Sequence, residues 1–108
     1  MPESLLNDEN FGETVLKSKK PFLVDFFSTW CTPCKFLSPI LEKVLAEFGD
    51  KINFAKVDID DAPLTADNYK VNQIPTVMLF KEGEPVSFFI GVQPEEKIKQ
   101  WLKENIGE

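Results

Sequence analysis

The sequence predicts an α/β fold in which helices cover both faces of a mixed central β-sheet, in one domain that spans residues 1–108. Strand-like and helical segments alternate along the chain, as they do when helices connect the strands of a sheet. Residues 21–27 are almost wholly apolar, which is typical of a central strand covered on both faces. Two later strands are joined through residues 81–85, and so short a connection predicts an antiparallel hairpin.

Each element has its own sequence evidence. A first helix is expected to begin at a cap, Asn7 or Asp8, and to end at about Lys17. The helix that follows the cysteines has apolar residues at spacings of three and four, and Pro39 inside it is expected to kink it because proline removes a hydrogen bond. The elements expected after the first helix are a strand at 21–27, a helix that ends at Gly49, a strand at 52–59, a short helix at 62–69, strands at 76–80 and 86–90, and a helix opened by Pro94.

The composition excludes several classes of function. A formal net charge of −6 leaves no basic stripe for nucleic acid. No apolar run approaches the roughly 20 residues that span a bilayer. The start of the chain lacks a basic segment followed by an apolar one, so we expect no secretory signal and a cytoplasmic location, with a processed exported or organelle form as the alternative. Histidine is absent and only two cysteines are present, which argues against a metal site within one chain and leaves a metal shared between two chains as an alternative.

The two cysteines, Cys31 and Cys34, are separated by Thr32 and Pro33. They lie between a predicted buried strand and an amphipathic helix, which places them at a helix N-terminus, where free N–H groups and the helix dipole stabilise a thiolate. Pro33 suits the first helical turn. We expect Cys31 to be the exposed nucleophile and Cys34, one turn further on, to be the shielded thiol that resolves a mixed disulfide. The alternative is a static disulfide or two inert thiols.

Two charged residues lie in predicted buried strands. Burial is expected to raise the pKa of Asp25, so that its carboxylate can accept the proton of Cys34 as that thiol attacks. Lys56, in the next strand along the chain, is the candidate partner of Asp25. Alternatively, each side chain reaches solvent at a strand end.

Two further features flank the cysteine pair. Trp30 precedes the candidate nucleophile and is expected to be exposed, although packing in the core is an alternative. Ile74 and Pro75 stand just before a strand, where proline is ordinarily tolerated. If the bond between them is cis, the backbone of Ile74 would face outward and could pair with an extended peptide.

Taken together, these residues resemble the thioredoxin family along nearly the whole chain. The motifs that carry the resemblance, in order, are Asp25, the run from Trp30 to Lys35, Pro39, Lys56, Asp60, Ile74-Pro75-Thr76, Gly83 and Gly91. The resemblance implies a thioredoxin fold, with a central mixed five-stranded sheet flanked by four helices, and a cis Pro75. It also implies that Asp25 and Lys56 are the buried acid and its neighbouring lysine.

The resemblance further implies a substrate-docking rim around the cysteines. Its residues are Trp30, Thr32, Pro33, Asp60, Ile74, Pro75, Gly91 and Val92. Asp60 is expected to hold the Trp30 indole through a hydrogen bond. Two positions depart from the family pattern. Thr32 stands where glycine is usual, which stiffens the turn and alters the surroundings of the sulfurs, and Phe27 stands where tryptophan is common.

The function implied by the resemblance is reduction of protein disulfides by dithiol–disulfide exchange at Cys31 and Cys34. The protein is expected to be a monomer that binds no cofactor and no metal. A flavoprotein thioredoxin reductase would regenerate the dithiol with electrons from NADPH, and proteins that contain disulfides would be the substrates. The alternatives are an oxidase or isomerase, a glutathione-linked glutaredoxin, and a non-catalytic binding subunit or folding helper that uses the apolar rim.

Overall fold

A computed structural model describes residues 4–107 of the chain. The strands of its sheet are β1 Ser4–Leu6, β2 Phe22–Phe27, β3 Asn53–Asp58, β4 Thr76–Lys81 and β5 Glu84–Ile90. The helical elements are a π-helical segment Gly12–Leu16, α1 Thr32–Phe48, a 3₁₀ turn Gly49–Lys51, α2 Pro63–Asn68 and α3 Glu95–Ile106.

The sheet has the strand order β1-β3-β2-β4-β5. Strand β3 runs parallel to β1 and β2, whereas β4 runs antiparallel to β2 and β5. This arrangement confirms the predicted mixed sheet and the predicted hairpin. The three-residue strand β1 was not predicted, because it is too short to show a periodic pattern of its own.

The central strand β2 divides the hydrophobic core into two parts. Phe22, Val24 and Phe26 face one side, where they pack with Phe11, Val15 and residues of the other strands. Leu23 faces the other side, which is covered by the apolar faces of α1 and α3. Since successive side chains of a strand point to opposite faces, Asp25 lies on the same side as Leu23, beneath α1. The prediction of a strand buried on both faces is confirmed.

The predicted first helix is only partly correct. The regular segment is a short π-helical stretch, Gly12–Leu16, and a turn precedes it. The Asn7 side-chain oxygen accepts hydrogen bonds from the backbone N–H groups of Glu9 and Asn10, at 2.9 and 3.0 Å. Asn7 therefore caps this turn, as one of the two proposed caps.

Asp8, the other proposed cap, serves a different helix. Its carboxylate accepts hydrogen bonds from the Thr65 hydroxyl at 2.7 Å and from the backbone N–H of Thr65 at 2.8 Å, in the first turn of α2. The bond from the Thr65 hydroxyl has the largest effect on the pKa of Asp8. It and the backbone bonds lower this pKa because they favour the charged form of the carboxyl group. The partner lies 57 positions away, so local spacing could not reveal it.

The turn of the hairpin requires a glycine. In the hairpin, Glu82 and Gly83 both have positive φ, and a Cβ atom at Gly83 would lie 2.7 Å from the carbonyl oxygen of Leu16. Glycine is therefore required at that position by its conformation and by the close approach of the chain.

Helix α1 continues through the exposed Pro39 as one element and ends at Gly49, as expected. The kink at Pro39 stays a prediction.

Candidate active site

The cysteine pair lies at the N-terminus of α1, joined as the disulfide Cys31–Cys34 with a Cα–Cα distance of 5.3 Å. Cys31 is the N-cap residue, and its sulfur accepts a hydrogen bond from the backbone N–H of Cys34 at 3.2 Å. This N–H belongs to the helix end that carries the positive pole of the dipole. The arrangement can therefore stabilise negative charge on the Cys31 sulfur once the disulfide is opened.

The predicted difference in exposure between the two cysteines is wrong for the disulfide form. Cys31 and Cys34 are only 4% and 3% exposed, whereas Thr32 and Pro33 between them are exposed. The reason is covalent, because the bond holds the Cys31 sulfur against the first turn of α1. The hydrogen bond that Cys31 accepts, rather than exposure, distinguishes the two sulfurs here.

Trp30 is the large aromatic residue beside the disulfide, and its side chain is 67% exposed. Its indole Nε1 donates a hydrogen bond to an Asp60 carboxylate oxygen at 2.8 Å. Asp60 itself lies just beyond the end of β3 and donates its backbone N–H to Asp58. Both expectations for this pair are confirmed, and packing of Trp30 in the core is excluded. The ring is thus held by its polar edge while its apolar surface faces solvent.

Sheet register brings the other rim residues to the same end of the molecule. Phe27 at the end of β2 pairs with Asp58 of β3, and Phe26 pairs with Thr76 at the start of β4. The bond between Ile74 and Pro75 is cis, and Pro75 is buried while Ile74 is half-buried.

The loop after β5 is tied to this end of the sheet. The backbone N–H of Gly91 donates to the Pro75 carbonyl at 2.8 Å, and Gly91 has a φ of +84°. Val92 follows with its side chain exposed. One edge of the sheet therefore contains the ends of β2, β3 and β5 and the start of β4. The chain leaves β2 at this edge and continues to the disulfide.

Asp25 is fully buried, so the alternative in which it reaches solvent at a strand end is wrong. It is the Cα partner of Lys56 in the parallel pair of β2 and β3, and register partners in neighbouring strands point to the same face. Lys56 is half-buried, and its ammonium donates to the Ser38 hydroxyl at 2.8 Å and lies 4.5 Å from the centre of the Phe27 ring. The ammonium thus lies in the layer between α1 and the sheet.

Ser38 was not predicted as a site residue. The available signal was its position four residues after Cys34, which places both on one face of α1, in a run of otherwise apolar inward-facing residues. A hydroxyl at such a position needs a hydrogen-bond partner. The partner, Lys56, comes from another strand and could not be identified from spacing.

Two negative findings concern the described residues 4–107. No group of three or more Cys, Asp or Glu side chains within that range could hold a metal ion. None of its helices is both long and apolar enough to cross a bilayer.

Comparison with known proteins identifies the family. The Thioredoxin family model matches residues 3–104. The chain belongs to the thioredoxin family. It is 44% identical over 101 residues to the thioredoxin of Buchnera aphidicola subsp. Acyrthosiphon pisum, with 94% of each chain covered.

Two further thioredoxins support the assignment. The thioredoxin of Mycolicibacterium smegmatis is 49% identical over 90 residues, which cover 82% of this chain and 80% of the relative. The thioredoxin of Staphylococcus haemolyticus is 40% identical over 101 residues, which cover 94% of this chain and 95% of the relative. This member of the thioredoxin family is a thiol–disulfide oxidoreductase that reduces protein disulfides, and Cys31–Cys34 is its active-site disulfide.

Proposed function

We propose that the chain is a general protein-disulfide reductant in which Cys31 attacks and Cys34 resolves. The observation that supports this division is the hydrogen bond from the Cys34 N–H to the Cys31 sulfur at the positive end of α1. The Cys31 thiolate forms a bond to one substrate sulfur and displaces the other as a thiolate. Cys34 then loses its proton and attacks the Cys31 sulfur, which releases the second substrate thiol. Two electrons pass from the dithiol to the substrate, and Cys31–Cys34 becomes the disulfide.

Asp25 is the proposed acceptor of the Cys34 proton. Its carboxyl group is fully buried on the face of the sheet that is covered by α1, the helix that carries Cys34. Lys56 is the proposed partner that stabilises the Asp25 carboxylate, because the two are register neighbours on the same face of the sheet.

The proposed docking rim consists of Trp30, Thr32, Pro33, Asp60, Ile74, Pro75, Gly91 and Val92. The exposure of Trp30 and Val92 supports it, because an apolar surface beside the sulfurs suits varied protein disulfides. An extended substrate segment could lie along this edge and pair with the backbone at Ile74.

Regeneration is proposed to come from a flavoprotein thioredoxin reductase that draws electrons from NADPH. The chain itself would act as a cytoplasmic monomer without bound cofactor. The direct experiment couples NADPH oxidation to insulin reduction with a thioredoxin reductase and this protein. We expect one NADPH to be consumed for each disulfide reduced. Turnover with glutathione but not with the reductase would instead indicate a glutaredoxin.

The reduction potential separates a reductant from an oxidase or isomerase. Because Thr32 replaces the usual glycine between the cysteines, the potential of this pair has to be measured directly, by equilibration with glutathione buffers. A value above about −180 mV would contradict the role of reductant. A purely non-catalytic role predicts that the double variant Cys31→Ser, Cys34→Ser keeps full function in the cell.

The substitution Trp30→Ala tests the docking rim. Loss of an exposed aromatic anchor is expected to lower turnover of insulin about tenfold, mainly through KM, whereas reduction of a small aromatic disulfide changes little. Leu16→Ala is the control, since Leu16 is exposed beside the turn at Gly83, at the opposite end of β4 from Pro75. Equal losses for the protein and the small substrate would show that Trp30 acts on the sulfurs rather than on docking.

A further inference from the structure

Ser38 connects the helix that carries Cys34 to the strand that carries Lys56. It lies one turn after Cys34 on the same face of α1, and its hydroxyl accepts the hydrogen bond from the Lys56 ammonium at 2.8 Å. Lys56 in turn is the register partner of the buried Asp25 on a strand about 4.8 Å away. A single hydroxyl therefore links the element of the resolving thiol with a cation next to the proposed base.

Ser38 and Phe27 restrain the Lys56 ammonium in different ways. The Phe27 ring, 4.5 Å from the nitrogen, attracts the positive charge without supplying a directed acceptor. The Ser38 oxygen accepts one of its N–H bonds and so sets its direction. A lysine side chain is flexible and its ammonium is strongly hydrated, and the half-buried Lys56 has a route to solvent. Without the hydroxyl, we expect the ammonium to move toward water and away from the sheet.

We propose that Ser38 is a positioning residue that holds the Lys56 ammonium near Asp25, an inference that rests on the proposed transfer of the Cys34 proton to Asp25. A nearby positive charge favours the ionised carboxylate, and its attraction weakens as the separation grows. Loss of the Ser38 hydroxyl therefore makes Asp25 harder to ionise. Asp25 then accepts a proton from Cys34 only at higher pH.

Strands β3 and β4 flank Asp25, and helix α1 covers its face of the sheet. Strand β3 contributes Lys56, strand β4 contributes the apolar partner Val77, and α1 contributes Cys34 and the neutral Ser38. In the oxidised protein both cysteines are in the disulfide and do not titrate. Among these groups, Lys56 is then the one charged neighbour whose effect on the ionisation of Asp25 is measured.

The test is a titration of the Asp25 side-chain carboxyl carbon by NMR in the oxidised protein, comparing wild type with Ser38→Ala. We expect the pKa of Asp25 to rise by about half a unit, which lowers the ionised fraction roughly threefold at pH values below the midpoint. The pH profile of insulin reduction should shift in the same direction, and the two proteins should converge at high pH.

Ser18→Ala is the matched control. Ser18 is also half-buried, and its hydroxyl also accepts a hydrogen bond from a β3 side chain, that of Asn53, at 3.3 Å. Asn53 lies at the start of β3, three residues before Lys56. Loss of this hydroxyl is expected to leave the Asp25 titration unchanged.

A double variant decides whether Ser38 acts through Lys56. Lys56→Met should raise the pKa of Asp25 further than Ser38→Ala does, and adding Ser38→Ala to Lys56→Met should have no further effect. The inference is overturned if Ser38→Ala titrates like wild type, or if its shift persists in the Lys56→Met background. Because the titration requires no turnover, a failure of the proposed reductase cycle would appear separately, as a wild-type protein that does not reduce insulin.

Discussion

Replacing Cys31 with serine is expected to reduce insulin turnover to the rate of the assay without protein. A serine hydroxyl cannot form the mixed disulfide, and the N–H of Cys34 would then have no thiolate to stabilise at this position. The measurement is NADPH consumption in the coupled assay, with a circular dichroism spectrum to confirm that the variant is folded.

Cys34→Ser is the paired variant, with a different expected result. It retains the attacking thiol and lacks the resolving one, so a substrate should remain covalently attached through Cys31. A non-reducing gel or an intact mass would show this adduct. If the adduct forms in Cys31→Ser instead, through Cys34, the proposed roles of the two cysteines are reversed.

The largest expected loss of stability comes from Phe26→Ala. Phe26 lies in the central strand β2, is fully buried, and belongs to the part of the core that includes Val24, Val57 and Met78. Removing a buried phenylalanine side chain costs about 3–5 kcal/mol, because the lost burial and the remaining cavity both count. Domains of this kind are stable by about 5–15 kcal/mol, so this is a large share of the total.

Urea denaturation measures this effect as a lower midpoint with an unchanged slope. The control is Phe88→Ala, since Phe88 is 57% exposed on β5 and should cost within about 0.5 kcal/mol. If Phe26→Ala lowers the free energy of unfolding by less than about 1 kcal/mol, the neighbouring side chains around β2 relax to fill the cavity, and the prediction is wrong.

The sequence predicted those features that depend on residues close together in the chain. Strand β2 follows from a short, almost wholly apolar run, and the hairpin follows from a short connection between two strands. Helix α1 follows from apolar residues at spacings of three and four, with a proline in its first turn and a glycine at its end. The position of the cysteines at a helix N-terminus follows from the same local patterns. The exposure of Trp30 follows from its position beside the candidate nucleophile, whereas its bond to Asp60 follows from the family resemblance.

Features that depend on distant contacts were missed or were wrong. The sequence offers Asp8 as one of two possible caps for the first helix, but its carboxylate accepts hydrogen bonds from Thr65 in α2. The exposure expected for Cys31 did not allow for the disulfide, which draws its sulfur against α1.

The sequence by itself therefore predicts a cysteine pair at the start of a helix and, in the preceding strand, an acid within an apolar run. These properties are local, because the order of charged and apolar residues within a short segment determines whether that segment forms a strand or a helix. The tertiary structure decided which groups surround the pair, including the Ser38 hydroxyl that meets Lys56 across the layer between α1 and β3. That contact joins residues 18 positions apart, and only packing of the helix on the sheet brings them within hydrogen-bond distance.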